Sequence, residues 1–280
     1  MLWALLLAFA AAVQIDPPQP KQGDAIRVTG PREAASARLG TKSIRLFAQP
    51  DGTKFGLMPV SAIQKPGAYD LVVSKEDGGA IETMRVIVSD AHFPKQNVKL
   101  PPRVQRLKPS PREMETVTAF RDTVTAERRW SEPFDLPIPG CLTSPFGVRR
   151  WYNGKPSGNY HAGIDQASPA GTPIHAIAGG VVRLVREFNI HGHVVGVDHG
   201  QGLSSIYLHM SKFAVAEGAQ VQKGDVIGYV GSTGRSTAPH LHWSLYANGM
   251  SINPTKWITP PACRPTAPTP PAKSPTSSKK

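Results

Sequence analysis

The sequence has few long hydrophobic runs. One run, Leu2 to Val13, is almost wholly apolar and contains the small residues Ala10-Ala11-Ala12 near its end. A membrane-spanning helix needs about 20 apolar residues, so this shorter run predicts a secretory signal over residues 1–12. No Lys or Arg precedes it, and an uncleaved anchor is the alternative. No other segment is long enough to span a bilayer. We therefore expect an exported chain, in the periplasm, cell envelope or extracellular space, without a stable membrane span after cleavage.

Cysteine is also scarce, since the chain contains only Cys141 and Cys263. Without a C-x-x-C pair, these positions do not suit a zinc site. An even number of cysteines in an exported chain favours a disulfide. Such a bridge would tie the segment before the motif-rich region to the C-terminal tail, and two unrelated thiols are the alternative.

Acidic residues are outnumbered, with 20 Asp and Glu against 32 Lys and Arg, which gives a formal net charge of +12. An excess of this size favours contact with polyanions. No nucleic-acid-binding motif is present, and the basic residues are scattered rather than gathered along a stripe. For an exported chain, anionic envelope polymers or lipid headgroups are better candidates, so we expect no nucleic-acid partner. The sequence does not predict an oligomeric state.

Short stretches within residues 14–90 alternate between apolar and polar with period two, as in Ser43 to Phe47 and in Met84 to Val88. Turn signals such as Pro50-Asp51-Gly52 separate these stretches. The pattern predicts a small β-sandwich-like N-terminal domain, in which no residue suggests chemistry.

A linker over residues 91–137 contains a predicted helix from about 111 to 129. Ser110-Pro111-Arg112-Glu113 carries the signals of a helix start. Four apolar residues then recur with helical spacing and predict one buried face: Met114, Val117, Phe120 and Val124.

Residues 138–258 again show short strands with many glycines. Residues 259–280 are rich in Pro, Ser, Thr and Lys, contain no acidic residue and cannot form a core. We expect this tail to be disordered. The predicted fold class is therefore mainly β, with two β domains joined by a linking helix.

Two histidine patterns compete as ligand pairs. In His240-Leu241-His242, a strand would place both imidazoles on one face and Leu241 toward a core. The segment His191-Gly192-His193 has the same form. His161 and Asp165 lie four residues apart among glycines that argue against a helix. An extended or bulged segment can also point both side chains in the same direction. Spacing alone leaves the choice between the pairs open.

Tyr207 and His209 form a further same-face pair on a predicted strand from Leu203 to Met210. Tyr207 is expected either to support His209 or to pack in the core.

The blocks around these residues carry a resemblance. They include Ser144-Pro145-Phe146-Gly147-Val148-Arg149-Arg150, His161 to Asp165, Pro169 to Pro173, Ala176 to Val182, Asp198-His199-Gly200, Tyr207-Leu208-His209, Val221 to Asp225, and Gly231-Ser232-Thr233-Gly234 leading to His240-Leu241-His242. Residues of about 140–258 therefore resemble the M23 metallopeptidase domain of the LytM and lysostaphin type. The upstream β domain and helix also resemble those that precede this domain in some bacterial members.

The resemblance implies an antiparallel β catalytic domain with an open groove. It implies one zinc ion held by His161, Asp165 and His242, with His209 and His240 as catalytic histidines that do not bind the metal. It makes His193 and His199 non-ligands, and we expect His92 and His175 to be surface or packing residues. Arg149 is expected either to orient substrate or to form a structural salt bridge.

Three protein ligands leave a fourth zinc position for water, as in catalytic sites. The chain has no H-E-x-x-H motif and hence no Glu base in the usual place. His209 and His240 are expected to accept the water's proton and to bond to the oxyanion.

The resemblance implies an endopeptidase that hydrolyses peptide cross-links or bridges of bacterial peptidoglycan. The alternatives are an inactive LytM-type protein that binds the wall or activates another hydrolase, and a zinc enzyme that acts on a glycine-rich protein. The N-terminal domain is expected to be an inhibitory segment, a wall-binding module or a spacer.

Overall fold

The computed structural model describes residues 12–259. The predicted signal, apart from residue 12, the predicted tail beyond residue 259, and Cys263 with its predicted disulfide lie outside the described residues. Within residues 12–259, no helix is both long and apolar enough to cross a membrane.

The N-terminal region forms two four-stranded antiparallel sheets, with strand orders β1-β2-β6-β5 and β4-β3-β7-β8. The strands are Gln14–Asp16 (β1), Ala25–Gly30 (β2), Ser36–Leu39 (β3), Lys42–Arg45 (β4), Phe47–Ala48 (β5), Lys54–Pro59 (β6), Gly67–Ser74 (β7) and Ala80–Val88 (β8). Alternate side chains from both sheets, including Val28 and Val73, share one core. The predicted strand from Ser43 to Phe47 is interrupted at Leu46, because the chain passes there from the second sheet to the first.

The linker contains one strand and two helices, Lys95–Val98 (β9), Pro102–Gln105 (α1) and Glu113–Arg121 (α2). The predicted helix end near Arg129 is wrong, because α2 stops at Arg121. Asp122-Thr123-Val124-Thr125 are poor helix formers, and the chain after α2 bonds to a hairpin instead. The N–H of Gln201 donates to the carbonyl of Thr125 at 2.7 Å.

The predicted buried face of the helix is correct only in its centre. Val117 and Phe120 are buried, whereas Met114 is 53% exposed and Val124, which lies beyond the helix, is 44% exposed.

The C-terminal region contributes the remaining elements. They are Leu142–Ser144 (β10), Arg149–Tyr152 (β11), Lys155–Tyr160 (β12), Ile164–Ala167 (β13), Pro173–His175 (β14), Gly180–Phe188 (β15), Gly192–Gly200 (β16), Leu203–Met210 (β17), Lys212–Phe213 (β18), Gln220–Val221 (β19), Val226–Tyr229 (β20), His240–Ala247 (β21), Met250–Ile252 (β22) and the 3-10 helix Pro254–Lys256. The main sheet has the order β10-β13-β21-β17-β16-β15-β19, with β22 also paired to β21. Its pairings are antiparallel, and the mainly β prediction is confirmed.

Two further sheets have three strands each, β12-β11-β9 and β14-β20-β18. The first joins the linker to the C-terminal region, since β9 pairs in parallel with β11.

One hydrophobic core crosses the boundaries expected from the sequence. It includes Phe55 and Leu57 from the N-terminal region, Trp130 and Phe134 from the linker, and Trp257 near the C-terminal end. The ring centroids of Phe55 and Trp130 lie 6.2 Å apart, and those of Phe134 and Trp257 lie 5.7 Å apart in a stacked pair. The division of the chain into separate domains stays a prediction, since its parts share buried side chains.

Candidate active site

The central strand β21 places the two histidines of His240-Leu241-His242. Because strand side chains alternate between faces, Leu241 and Trp243 are fully buried while His240 and His242 lie on the opposite face. Strand β13 pairs with β21 so that Asp165 lies directly opposite His242. Directly opposed residues in an antiparallel pair have Cβ atoms about 5 Å apart, so this register brings the carboxylate to the imidazole.

His161 reaches the same point from the segment before β13. Its backbone N–H donates to the carbonyl of Val148 at 2.8 Å, and its carbonyl accepts from the N–H of Gly147 at 2.8 Å. Between His161 and Asp165, Gly163 lies so close to β21 that an added Cβ would be 2.2 Å from the carbonyl oxygen of Trp243. A glycine is therefore required for this approach.

Three side-chain atoms of the predicted ligands converge. Nε2 of His161 lies 2.9 Å from Oδ1 of Asp165 and 2.9 Å from Nδ1 of His242, and the last two atoms are 2.8 Å apart. His161 is 6% exposed, and the side chains of Asp165 and His242 are 14% and 13% exposed. Among the described residues, this is the group of His, Cys, Asp and Glu side chains placed to hold a metal ion.

The hydrogen bonds around the triad test whether a cation fits. Nδ1 of His161 donates to the carbonyl of Pro145 at 2.8 Å, so Nε2 of a neutral His161 carries a lone pair. That lone pair faces an acceptor-only carboxylate oxygen. Nε2 of His242 lies 2.9 Å from the Ser244 hydroxyl, whose oxygen can accept a hydrogen bond from Nε2–H, the tautomer that leaves Nδ1 unprotonated. Three converging lone-pair atoms are the donor set that a divalent metal ion requires.

The pKa shifts agree with this donor set. Burial lowers the pKa of His242 to about 4, against the raising effect of Asp165, so the imidazole is neutral at neutral pH. Burial alone would raise the pKa of Asp165, but the imidazoles of His161 and His242 lower it below its usual range. Ligands must be deprotonated to bind metal, and these two side chains are.

Arg150 holds the far side of the carboxylate. Its Nη2 donates to Oδ2 of Asp165 at 3.1 Å and to the Ser144 hydroxyl at 3.0 Å. The neighbouring Arg149, expected either to orient substrate or to form a structural salt bridge, donates to the carbonyl of Ala62 at 2.8 Å. Of these two arginines, Arg150 is therefore the one that contacts the triad.

His209 and His240 lie beside the triad. Their ring centroids are 5.0 Å apart, and the ring of His209 is 6.3 Å from that of His242. Nδ1 of His209 donates to the carbonyl of Thr233 and Nδ1 of His240 to the carbonyl of Ala238, both at 2.8 Å. These bonds leave Nε2 unprotonated in each neutral ring. Burial, and then His240 and His242, lower the pKa of His209 to about 3.

The backbone of His209 explains its placement. The pairing of β16 and β17 shifts register between Val195–Tyr207 and His193–Met210, so Leu208 and His209 together oppose one residue. This β-bulge puts His209 in the left-handed region, with φ of 62°, and bulges of this kind redirect a side chain.

The bulge also separates His209 from Tyr207. Tyr207 is fully buried, and its hydroxyl lies 3.1 Å from the Ser205 hydroxyl and accepts the Ile177 N–H at 3.2 Å. The expectation that both side chains share a face is wrong, and Tyr207 packs in the core.

The other histidines lie outside the triad. Nδ1 of His199 donates to the carbonyl of Gly179 and Nδ1 of His175 to that of Gly224, both at 2.7 Å. The ring of His193 packs on Phe213 with centroids 5.2 Å apart. His92 is 87% exposed in its side chain. The competing segment His191-Gly192-His193 therefore supplies no ligand to the triad.

A groove with a cavity volume of about 610 Å³ includes the triad and the two further histidines. Helix α2 lines it as well, through Met114, Val117 and Arg121. Sequence reasoning missed this wall, and it missed Arg150, Ser244 and Thr233. Ser244 had a usable signal, because it lies two residues after His242 and so on the same face of the strand.

A convergent His/Asp/His cluster with two further histidines in a groove is typical of metal-dependent hydrolases. The model of peptidase family M23 matches residues 159–254. A solved M23 peptidase structure from Pseudomonas aeruginosa is 30% identical with a TM-score of 0.64, and the match covers 87% of this chain and 95% of that one. The chain belongs to peptidase family M23.

Two curated relatives match the C-terminal region. The DD-carboxypeptidase/endopeptidase Mpg of Neisseria meningitidis serogroup B is 43% identical over 125 residues, which are 42% of this chain and 27% of that protein. The peptidoglycan DD-endopeptidase ShyA of Vibrio cholerae is 38% identical over 121 residues, which are 43% of this chain and 28% of that protein. The matched region thus spans about a quarter of each curated relative's length.

Proposed function

We propose that this protein is a zinc-dependent endopeptidase that hydrolyses peptide cross-links or bridges of bacterial peptidoglycan in the cell envelope. The observation that carries the proposal is the convergence of His161, Asp165 and His242 beside His209 and His240 in one groove. Membership of family M23 and the peptidoglycan-related name of the Vibrio relative support the substrate class. The apolar run before residue 14 and the net charge of +12 favour an exported chain that meets an anionic wall.

A zinc ion held by the triad would supply Lewis-acid activation of water and of the scissile carbonyl. The remaining chemistry belongs to the two further histidines. With Nδ1 bound to a backbone carbonyl, each ring keeps Nε2 as the atom that accepts a proton. The ring that has gained a proton becomes a donor to the developing oxyanion or to the leaving amine.

The positions of these rings support that role. Their two carbonyl partners, on Thr233 and Ala238, fix the tautomer and the ring orientation before substrate binds. Such preorganisation is the main source of electrostatic stabilisation in enzyme sites. Arg150 acts on the metal side, since it orients the carboxylate ligand Asp165.

The test is digestion of purified peptidoglycan by the full chain, with new amino and carboxyl termini identified by mass and zinc measured in the same sample. We expect about one zinc per chain and new amine groups. His161→Ala and His242→Ala should lose both zinc and activity. His209→Ala and His240→Ala should keep zinc and lose about 10²- to 10⁴-fold in kcat.

His92→Ala is the matched control, since its side chain is 87% exposed and outside the groove. It should keep both zinc and activity. Reducing sugar ends without new amines would instead identify a glycosidase, and zinc binding without any cleavage would favour the inactive wall-binding alternative.

A further inference from the structure

A fully buried carboxylate of the linker contacts the turn between β15 and β16. Glu113, at the start of α2, has no exposed surface. Its oxygens accept from the N–H groups of Asn189, Ile190 and His191 at 3.2, 3.0 and 2.9 Å. Nδ1 of His191 lies 2.6 Å from Oε1, and the N–H and hydroxyl of Ser110 lie 2.7 and 2.9 Å from Oε2. Glu113, which the sequence places at the start of a helix, thus anchors a hairpin turn that is distant along the chain.

The carboxylate is ionised in this position. Burial alone would raise the pKa of Glu113, but the bonds from His191 and Ser110 lower it to about 2. Three successive N–H groups directed at one anion form a concave anion site of the kind that turns often build. Residues 189–191 connect β15 to β16, so the carboxylate fixes the conformation of this turn.

The same turn holds the backbone of His209. The carbonyl of His191 accepts the N–H of His209 at 3.1 Å, at the position where φ is positive. The carbonyl of Ile190 accepts the N–H of Arg235 at 2.9 Å, which ties down the segment that contains Thr233. The carbonyl of Thr233 in turn accepts Nδ1–H of His209. Glu113 is therefore connected to His209 through its backbone and through its ring.

Glu113 has no contact with the triad, and α2 has a second anchor. Val117 and Phe120 pack with Leu184, Val194 and Ile206 in a small core of their own. Removing the charge of Glu113 should therefore leave the helix docked and change mainly the turn.

We propose that Glu113 is a positioning residue of the active site, which fixes the turn 189–191 and through it the orientation of His209. The active site then includes the linker as well as the C-terminal region. This inference rests on the proposed peptidase function for its kinetic test, and it has a structural test of its own.

The kinetic test compares Glu113→Gln with Glu115→Gln in the full chain. The replacement at 113 has nearly the same shape but cannot accept all the bonds. Glu115 lies on the same helix with its side chain 65% exposed and contacts Arg112. We expect kcat to fall about 10- to 100-fold for Glu113→Gln, the range expected for a misplaced catalytic group. KM should stay within about twofold and zinc at the wild-type level. Glu115→Gln should match the wild type.

An unchanged kcat, or a loss of activity that follows a loss of zinc, would overturn the proposal. The structural test uses the wild type and does not depend on activity or on folding of the variant. Amide hydrogen exchange at residues 189–191 should be as slow as in β16, although these residues form a turn, and fast exchange there would also overturn the proposal. A wild type that releases no amine refutes the proposed function, and the exchange rates then still test whether Glu113 fixes the turn.

Discussion

Gly163→Ala is a small change with a large expected effect on the metal site. The added Cβ would lie 2.2 Å from the carbonyl oxygen of Trp243, 2.4 Å from the Ser244 hydroxyl oxygen and 2.8 Å from the carbonyl carbon of Trp243. Two of these atoms are backbone of β21, which is paired on both sides in the main sheet. They cannot rotate away as a flexible side chain would.

The size of the required shift follows from these distances. Contacts of a Cβ below 3.0 Å are essentially never found, so β13 must move by about 0.8 Å from β21. Metal–ligand distances tolerate only about 0.2 Å, and Asp165 moves with β13. Overpacking of this kind costs about 1–3 kcal/mol of unfolding free energy. For a chain of this size the melting temperature should fall by about 2–12 °C.

The assays are thermal unfolding without metal and zinc titration against a competing chelator. We expect zinc affinity to fall at least about tenfold, as when the support of a metal ligand is lost. Gly79→Ala is the control, because the three atoms nearest to its Cβ would belong to the exposed Asp77 side chain, the first at 3.1 Å. A Gly163→Ala protein with wild-type melting temperature and zinc affinity would show that the approach of β13 to β21 does not position the ligand.

Three further changes probe the same network. Zinc at a hundredfold excess over its Kd should add about 2.7 kcal/mol of stability, seen as a higher melting temperature that chelator reverses and that His242→Ala lacks. Arg150→Met should weaken zinc binding about 10- to 100-fold, because Asp165 loses its outer partner, whereas Arg149→Met should not; equal effects would refute the assignment. The pKa of Glu113 is about 2 in the folded state, below the usual value of 4.5. These two values bound the pH window of the third test. The stabilisation by Glu113 is present above that window and disappears as the pH falls through it. Wild type should lose about 3 kcal/mol more than Glu113→Gln in denaturant titrations over this range, and parallel curves would argue against an ionised carboxylate.

The strand period predicted the local part of the site. On β21, alternation correctly placed Leu241 in the core and the two histidines on the other face. The partnership of Asp165 with His242 depends on strand register between distant segments. Spacing along the chain carries no information on that register, and the ordered resemblance to the family supplied the expectation instead.

Where the period fails, the reason is a bulge. Two residues of β17 oppose one of β16, and His209 adopts a positive φ. The segment Tyr207-Leu208-His209 gives no sequence signal of this bulge, because none of the three residues favours the left-handed region as glycine does. The backbone partner that holds His209 lies at His191, in another hairpin.

The linker shows most clearly why a local sequence pattern misses part of the proposed active site. A Glu three residues after a Ser at a helix start is ordinarily explained by capping, and that explanation accounts for Ser110 alone. It gives no reason for burial, whereas Glu113 is fully buried against a turn that lies more than 70 residues further along the chain. A buried charge is retained only where it is paired and hydrogen-bonded, so its partners are informative. They lead through His191 to His209, so in the proposed active site the linker is a part of the groove rather than a tether between two finished domains.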